Sequence, residues 1–194
     1  MPFSEKFLSS RYVTWLNDQE VVRFSEQRFR KHTLESCRQY LQSFEHSPDH
    51  FWAVVSRISE EGHIGNITAH VDLQNRLASV GILLGEKKVW GKGYGTEAFS
   101  LVVDFLFNEK KMRKVTAGTM APNTGMRRIM DRLEMQGDGT RRKHFLLDGK
   151  EVDVLYSALF REDWLKREKV PDRVSVLERN RGASSAEWQS EEEA

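Results

Sequence analysis

The chain has one cysteine, Cys37, among 194 residues, which excludes an intramolecular disulfide and any thiolate metal cluster. It also lacks a charge excess: 30 Lys and Arg against 29 Asp and Glu leave a formal net charge of +1. Nucleic-acid binders of this size normally show a clear basic surplus, and an anionic membrane surface attracts one too. Neither partner is expected. No apolar run approaches the roughly 20 residues needed to cross a bilayer. The start, Met1-Pro2-Phe3-Ser4-Glu5-Lys6, lacks the basic-then-apolar order of a secretory signal, so a cytoplasmic protein is expected. Hydrophobic residues at 39 % and charged residues at 30 % suffice for one core with a wet surface. A chain this long buries roughly two thirds of its unfolded surface.

Apolar spacing sets the organisation. Ser9 to Asp18 reads as a helix, with Tyr12, Trp15 and Leu16 on one side. Thr33 can cap a second helix whose stripe is Leu34, Cys37, Leu41 and Phe44, ending near Ser47-Pro48. Cys37 belongs to that stripe and reads as a small core residue rather than a nucleophile. Three strands follow in meander: His50 to Ile58, His63 to Leu73 and Leu77 to Gly85, joined at Ser59-Glu60-Glu61-Gly62 and Gln74-Asn75-Arg76. A helix from Thr96 buries Ala98, Leu101, Val102, Phe105 and Leu106. Lys114 to Met120 reads as a strand, and Asn123 to Met135 as a helix stopped by Gly137 and Gly139. The last strands, Arg141 to Leu147 and Val152 to Phe160, meet across Asp148-Gly149, a strong hairpin signal. One domain over residues 1–168 is expected, with residues 169–194 as a polar, flexible tail.

Gly91-Lys92-Gly93-Tyr94-Gly95-Thr96 lies between a strand and a helix. Glycines let backbone amides approach a ligand, and a helix start offers unpaired N–H groups with a partial positive charge. A pyrophosphate suits such a place; a plain glycine turn is the bland alternative. Two other phosphate loops fail here. Five residues separate Gly85 from Gly91, and Gly93 stands where a P-loop needs its hydroxyl. The dinucleotide fingerprint needs Gly-x-Gly-x-x-Gly after the first strand of a βαβ unit, not Gly-x-Gly-x-Gly after a meander.

The segment resembles the acyl-CoA pyrophosphate loop of the GCN5-related N-acetyltransferase (GNAT) superfamily, Gln/Arg-x-x-Gly-x-Gly/Ala running into a helix. Gly93 and Gly95 match its glycines, and Trp90 stands where Gln or Arg is usual. Asn123 and the helix after it are similar to the second motif, with Met126 in place of Ser and Met135-Gln136 in place of Gly-Phe. Met130 occupies the place of the tyrosine that protonates the departing thiolate in many members; Tyr156 is the nearest alternative and reads first as structural. The resemblance spans roughly Ser10 to Lys166. It implies an α/β fold, a mixed and mostly antiparallel sheet flanked by helices, splayed between the strands before and after the pyrophosphate-loop helix. Only Met1 to Leu8 is available ahead of the first helix for the first strand the resemblance implies, so either that strand is short or the start is truncated.

On this resemblance acetyl-CoA is the co-substrate, its pantetheine arm lying between the splayed strands as an added pseudo-strand. Cofactor contacts are assigned to Leu83, Leu84, Trp90, Gly91, Lys92, Gly93, Tyr94, Gly95, Thr96, Asn123 and Arg128, with a backbone N–H near Leu83 or Leu84 at the thioester oxygen. Arg127, Arg128 and Arg132 form a basic helix edge suited to a CoA phosphate, or simply to water. The amine attacks directly, and the acceptor must first lose a proton. Glu26, His70 and Asn123 are the candidate catalytic residues, with Glu86 a weaker base. Asn66, Thr68 and His70 share one strand face by period two, as a pocket lining or as a solvated row. No His/Cys/Asp/Glu grouping has metal-ligand spacing. Tyr12-Val13-x-Trp15-Leu16-Asn17-Asp18 and His63-Ile64-Gly65-Asn66-Ile67 look like a bacterial branch with sugar-related acceptors. The expected activity is acetyl transfer to a primary amine of a small molecule such as a nucleotide-linked amino sugar. An N-terminal acetyltransferase of a ribosomal protein and a non-catalytic CoA-binding module are the alternatives, and monomer and homodimer both stay open.

Overall fold

The computed structural model describes residues 1–57 and 62–167. The chain divides into two units between Arg161 and Glu162. The first contains one six-stranded sheet in the order β1-β2-β3-β4-β6-β5. Its strands are β1 (His50–Val55), β2 (His63–Asp72), β3 (Leu77–Leu84), β4 (Lys114–Met120), β5 (Gln136–Leu147) and β6 (Lys150–Phe160). Every pairing is antiparallel except β3 with β4. The helices are α1 (Ser10–Asn17), α2 (Leu34–Gln42), α3 (Tyr94–Asn108), α4 (Thr124–Arg132) and α5 (Arg161–Lys166). The mixed, mostly antiparallel α/β sheet is therefore as expected. The proposed tail, and all but Gly62 of the turn over Ser59 to Gly62, lie outside the described residues; at that hairpin the Ser56 N–H donates to the Gly62 carbonyl.

Alternation along the strands sorts the two faces. Phe51 and Ala53 face the same side as their cross-strand partners Thr68 and Asn66. There they join Tyr12, Trp15 and Leu16 of α1 and Cys37 of α2 in a buried cluster. Cys37 is buried, as a core residue should be. The opposite face holds α3, which buries Phe99, Val102, Val103, Leu106 and Phe107. Phe105 meets Trp52 edge-on there, with ring centroids 5.6 Å apart. Thr33 caps α2 in a reciprocal box with Ser36. Asp148 and Gly149 both turn at positive φ, which suits the tight β5–β6 hairpin. Ahead of α1, Met1–Phe3 lies antiparallel beside β1, with the Phe3 N–H donating to the Phe51 carbonyl and the Ala53 N–H to the Met1 carbonyl.

Several boundaries differ from the sequence reading. The first strand ends at Val55 and α2 at Gln42. α3 begins at Tyr94, because Gly93 in the left-handed region starts the helix two residues before Thr96. α4 stops at Arg132, and Glu134 turns the chain at φ 52. Gly137 and Gly139 then lie inside β5, at a register shift, rather than ending a helix.

His63 shows how firmly the α1 face is closed. Its ring lies among Phe3, Phe7, Tyr12 and Trp15, with centroids 4.9 to 6.0 Å away. Burial pushes its pKa down to about 4, partly opposed by its hydrogen bond to the Gly65 carbonyl. The unfolded chain therefore binds this proton more readily than the folded one. Stability should fall as pH drops from about 6.5 toward 4, by about 2 kcal/mol after discounting for partial exposure. Denaturant midpoints measured across that window should show the slope, and His63→Gln should flatten it; an equal slope in the variant would assign the effect elsewhere.

Candidate active site

The parallel pairing of β3 with β4 is short. It joins Leu77, Ala78 and Ser79 to Lys114, Val115 and Thr116. Beyond these residues the strands diverge, although β3 runs on to Leu84 and β4 to Met120. Backbone groups on the facing edges are left without a strand partner, the condition for an extended ligand to hydrogen-bond between them. An open cavity of ≈ 320 Å³ lies at this divergence. Ser79, Val80 and Gly81 line it from β3, and Gly118, Thr119 and Met120 from β4. Thr68, His70, Phe24, Phe145, Val154 and Tyr156 complete the wall.

Gly118 is required by its neighbour. A Cβ there would sit 2.8 Å from the Tyr156 ring, its cross-strand partner. Gly85, just past β3, is required more strictly, since its Cβ would lie 2.0 Å from the Trp15 indole. That contact fixes the start of the segment leading to the glycine loop.

The loop turns at Gly91 and Gly93, with φ of 74° and 92°. A Cβ at either would meet nothing within 4 Å, so both glycines face open space. Gly93 is the N-cap of α3 and supplies no side-chain acceptor. The first amide bonded back is that of Glu97, to the Gly93 carbonyl. The N–H groups of Tyr94, Gly95 and Thr96 are left for a ligand, at the positive end of a 15-residue helix. Gly95 instead packs inward, its Cβ position 3.0 Å from Ile129 Cδ1 and 3.3 Å from Leu84 Cδ1. The Trp90 indole N–H donates to the Leu84 carbonyl at 2.9 Å, tying the loop to the end of β3. A pyrophosphate-bearing thioester fits these features: open glycine turns, free amides and an unzipped strand pair beside them.

Cofactor residues named from sequence thus cluster at the end of β3 and the start of α3. Asn123 lies apart from them, at the N-terminus of α4. Its Oδ1 accepts from the Met126 N–H as the α4 cap, and its Nδ2 donates to Thr119 Oγ1 at 3.0 Å. It shapes the β4 end of the opening. Arg128 is exposed on α4, and Met130 is buried.

The candidate bases separate clearly. Glu26 is not on the cavity wall; it is half exposed and paired with Arg28 at 2.8 Å. That guanidinium is only 9 % exposed and also bonds the carbonyls of Ser25 and Leu146. Glu26 therefore helps hold the loop carrying Phe24 to the end of β5. His70 does lie on the wall, as does Thr68. Asn66, two residues further along that face, is buried and donates to the Tyr12 hydroxyl at 2.9 Å. Burial keeps that phenol well above its ordinary pKa, with the Asn66 donor offsetting a part. The polar row is real, but only its outer two members reach the cavity.

Sequence reasoning missed Asp49. Its Oδ2 lies 2.7 Å from His70 Nδ1, and its Oδ1 accepts the Val71 N–H at 2.7 Å. Burial tends to raise this carboxyl, but the hydrogen bonds from His70 and Val71, with the charges of His70 and His50, hold it below the usual range. An anionic Asp49 favours the tautomer with the proton on Nδ1, leaving Nε2 as an acceptor. No local sequence signal joins two residues 21 apart; only the β1–β2 pairing brings them together.

Such a site suits an acyltransferase that draws its acyl group from CoA. The family follows from comparison. The family model of the acetyltransferase (GNAT) domain matches residues 4–136, and the chain belongs to that family. It is an N-acetyltransferase that uses acetyl-CoA to acetylate an amine. Among curated proteins it is similar to "Probable N-acetyltransferase YjcK" of Bacillus subtilis, 28 % identical over 138 residues, 68 % of this chain and 75 % of that one. Among solved structures it resembles the spermidine N-acetyltransferase of Vibrio cholerae in complex with CoA and spermine, with a TM-score of 0.75 at 14 % identity, covering 86 % of this chain and 96 % of that one. It also resembles the ribosomal-protein-S5-alanine acetyltransferase of Vibrio fischeri, with a TM-score of 0.65 at 20 % identity, covering 80 % of this chain and 90 % of that one. At these identities the structural likenesses establish the fold. Among the described residues no helix is long and apolar enough to cross a membrane.

Proposed function

We propose that this enzyme acetylates a primary amine on a small, hydroxylated molecule such as an amino sugar carried on a nucleotide, with His70 as the base that takes the amine's proton. The observation carrying this reading is the composition of the cavity at the strand divergence. Thr68 and Ser79 offer hydroxyls, Phe24, Phe145 and Tyr156 offer ring faces, and no carboxylate lines the wall. Rings and hydroxyls suit a sugar, which presents C–H faces and hydroxyl edges. A polyamine needs acids to balance its charges, and Asp49 is turned to His70.

Acetyl-CoA supplies the activated acetyl group. The chain's own part is to hold the pyrophosphate at the amides of Tyr94, Gly95 and Thr96, orient the amine in the opening and draw its proton to His70 Nε2. Glu26 is assigned to loop placement and Asn123 to shaping β4. Calorimetry should show saturable binding of acetyl-CoA and none of ATP, and acetyl transfer should favour amino sugars over spermidine. Preference for spermidine would overturn the acceptor assignment. Binding with no transfer to any amine would favour a CoA-binding module instead.

A further inference from the structure

The rim of the cavity carries a cation that the acetyl-transfer chemistry does not use. Arg141 pairs with Val154 across β5 and β6. Cross-strand partners share a face, and Val154 is on the cavity wall, so Arg141 stands on the cavity side of the sheet. Its guanidinium carbon lies 5.0 Å from the centroid of the Tyr156 ring, itself part of the wall. The residue opposite Tyr156 is Gly139, which leaves that space clear. No carboxylate neutralises Arg141 among the described residues. Its one hydrogen-bond contact is a 3.5 Å approach to His144 Nε2. The nearby acids are engaged elsewhere: Glu151 with the Lys143 ammonium and Asp153 with the Lys143 amide.

We infer that Arg141 is an anion subsite for the acceptor, which carries a phosphate as well as its amine; this rests on the amine-acetylating reading of the cavity. Stacking on Tyr156 holds the fork in place, so less side-chain entropy is lost when it engages a phosphate in two hydrogen bonds. Sheet geometry sets the spacing. The amine reacts at the β3–β4 opening, and Arg141 leans from β5 over β6. The anion then lies one to two strand spacings from the amine, about 5–10 Å. An α-amino acid is too short, because its amine nitrogen and carboxyl carbon are about 2.5 Å apart. A hexose ring with an amine on one side and a phosphate ester or diphosphate on the other spans this distance.

Acetyl transfer should be compared for glucosamine 6-phosphate and glucosamine at saturating acetyl-CoA. The phosphate ester should be preferred in kcat/KM by roughly tenfold or more, the scale of a charge-assisted contact. Arg141→Ala should bring that ratio close to one, and Arg141→Lys should keep a part of it. A merely structural arginine would lower both rates together and leave the ratio intact, which would overturn the subsite, as would a wild-type preference for unphosphorylated glucosamine. A second readout avoids dependence on these two amines: binding of inorganic pyrophosphate and of uridine diphosphate to enzyme saturated with CoA. Both should bind the wild type and be lost in Arg141→Ala; tighter binding of uridine diphosphate would mark a nucleotide-linked acceptor. Absence of anion binding to a CoA-saturated enzyme overturns the subsite alone, whereas failure to bind CoA overturns the site reading beneath it.

Discussion

Exchange of His70 for alanine is expected to lower kcat for amine acetylation by about 10²–10³-fold while the Kd for acetyl-CoA stays where it was. The ring stands on the cavity wall, one strand away from the parted edge of β3. At 60 % side-chain exposure it can pass its proton on to water. Asp49 holds Nδ1, so the nitrogen left to take a proton is Nε2. Added imidazole should restore part of the rate in the alanine variant. Asp49→Asn should cost less, about 10–100-fold, since the amide keeps a hydrogen bond but removes the preference between tautomers. Nitrogen-15 shifts of the His70 ring would report that tautomer change directly. An alanine variant with wild-type kcat would pass the proton to water alone and leave His70 as lining.

The order of elements was legible because each carries a strong local period. α1, α3 and the first three strands follow from apolar spacing, and the β5–β6 hairpin from Asp148-Gly149. β5 was misjudged because its stabilisation is not local: residues 136 to 144 are exposed, and the strand is held by pairing with β6 rather than by an apolar face. The glycine loop was readable since glycine at positive φ leaves a mark in composition. The proposed base was only half readable. His70 could be placed on a face by counting in twos, but Asp49 lies before β1 and meets it only through the sheet. Glu26 was a candidate because of the place of its loop between the first two helices; in the structure its carboxylate pairs with Arg28 and does not line the cavity.

Replacing Gly93 by valine is expected to weaken acetyl-CoA binding by at least about 100-fold, close to abolishing it, in a protein that still folds. At φ 92° and ψ −13° the residue is left-handed, where a β-branched side chain costs about 1–3 kcal/mol. That strain lowers the unfolding midpoint without an internal collision, since the added Cβ meets nothing within 4 Å. The same open space is the approach to the amides of Tyr94, Gly95 and Thr96, so the side chain stands where a pyrophosphate must come. Strain and obstruction can be separated by Gly93→Asn, because asparagine tolerates the left-handed region. It should regain much of the stability and little of the binding. Gly137→Ala makes the control, its φ being ordinary and its surroundings empty; it should change neither. Wild-type affinity in Gly93→Asn would sink the loop as the pyrophosphate site. Loss of affinity at restored stability places the ligand against the backbone there, which is the reason a side chain is absent from that position.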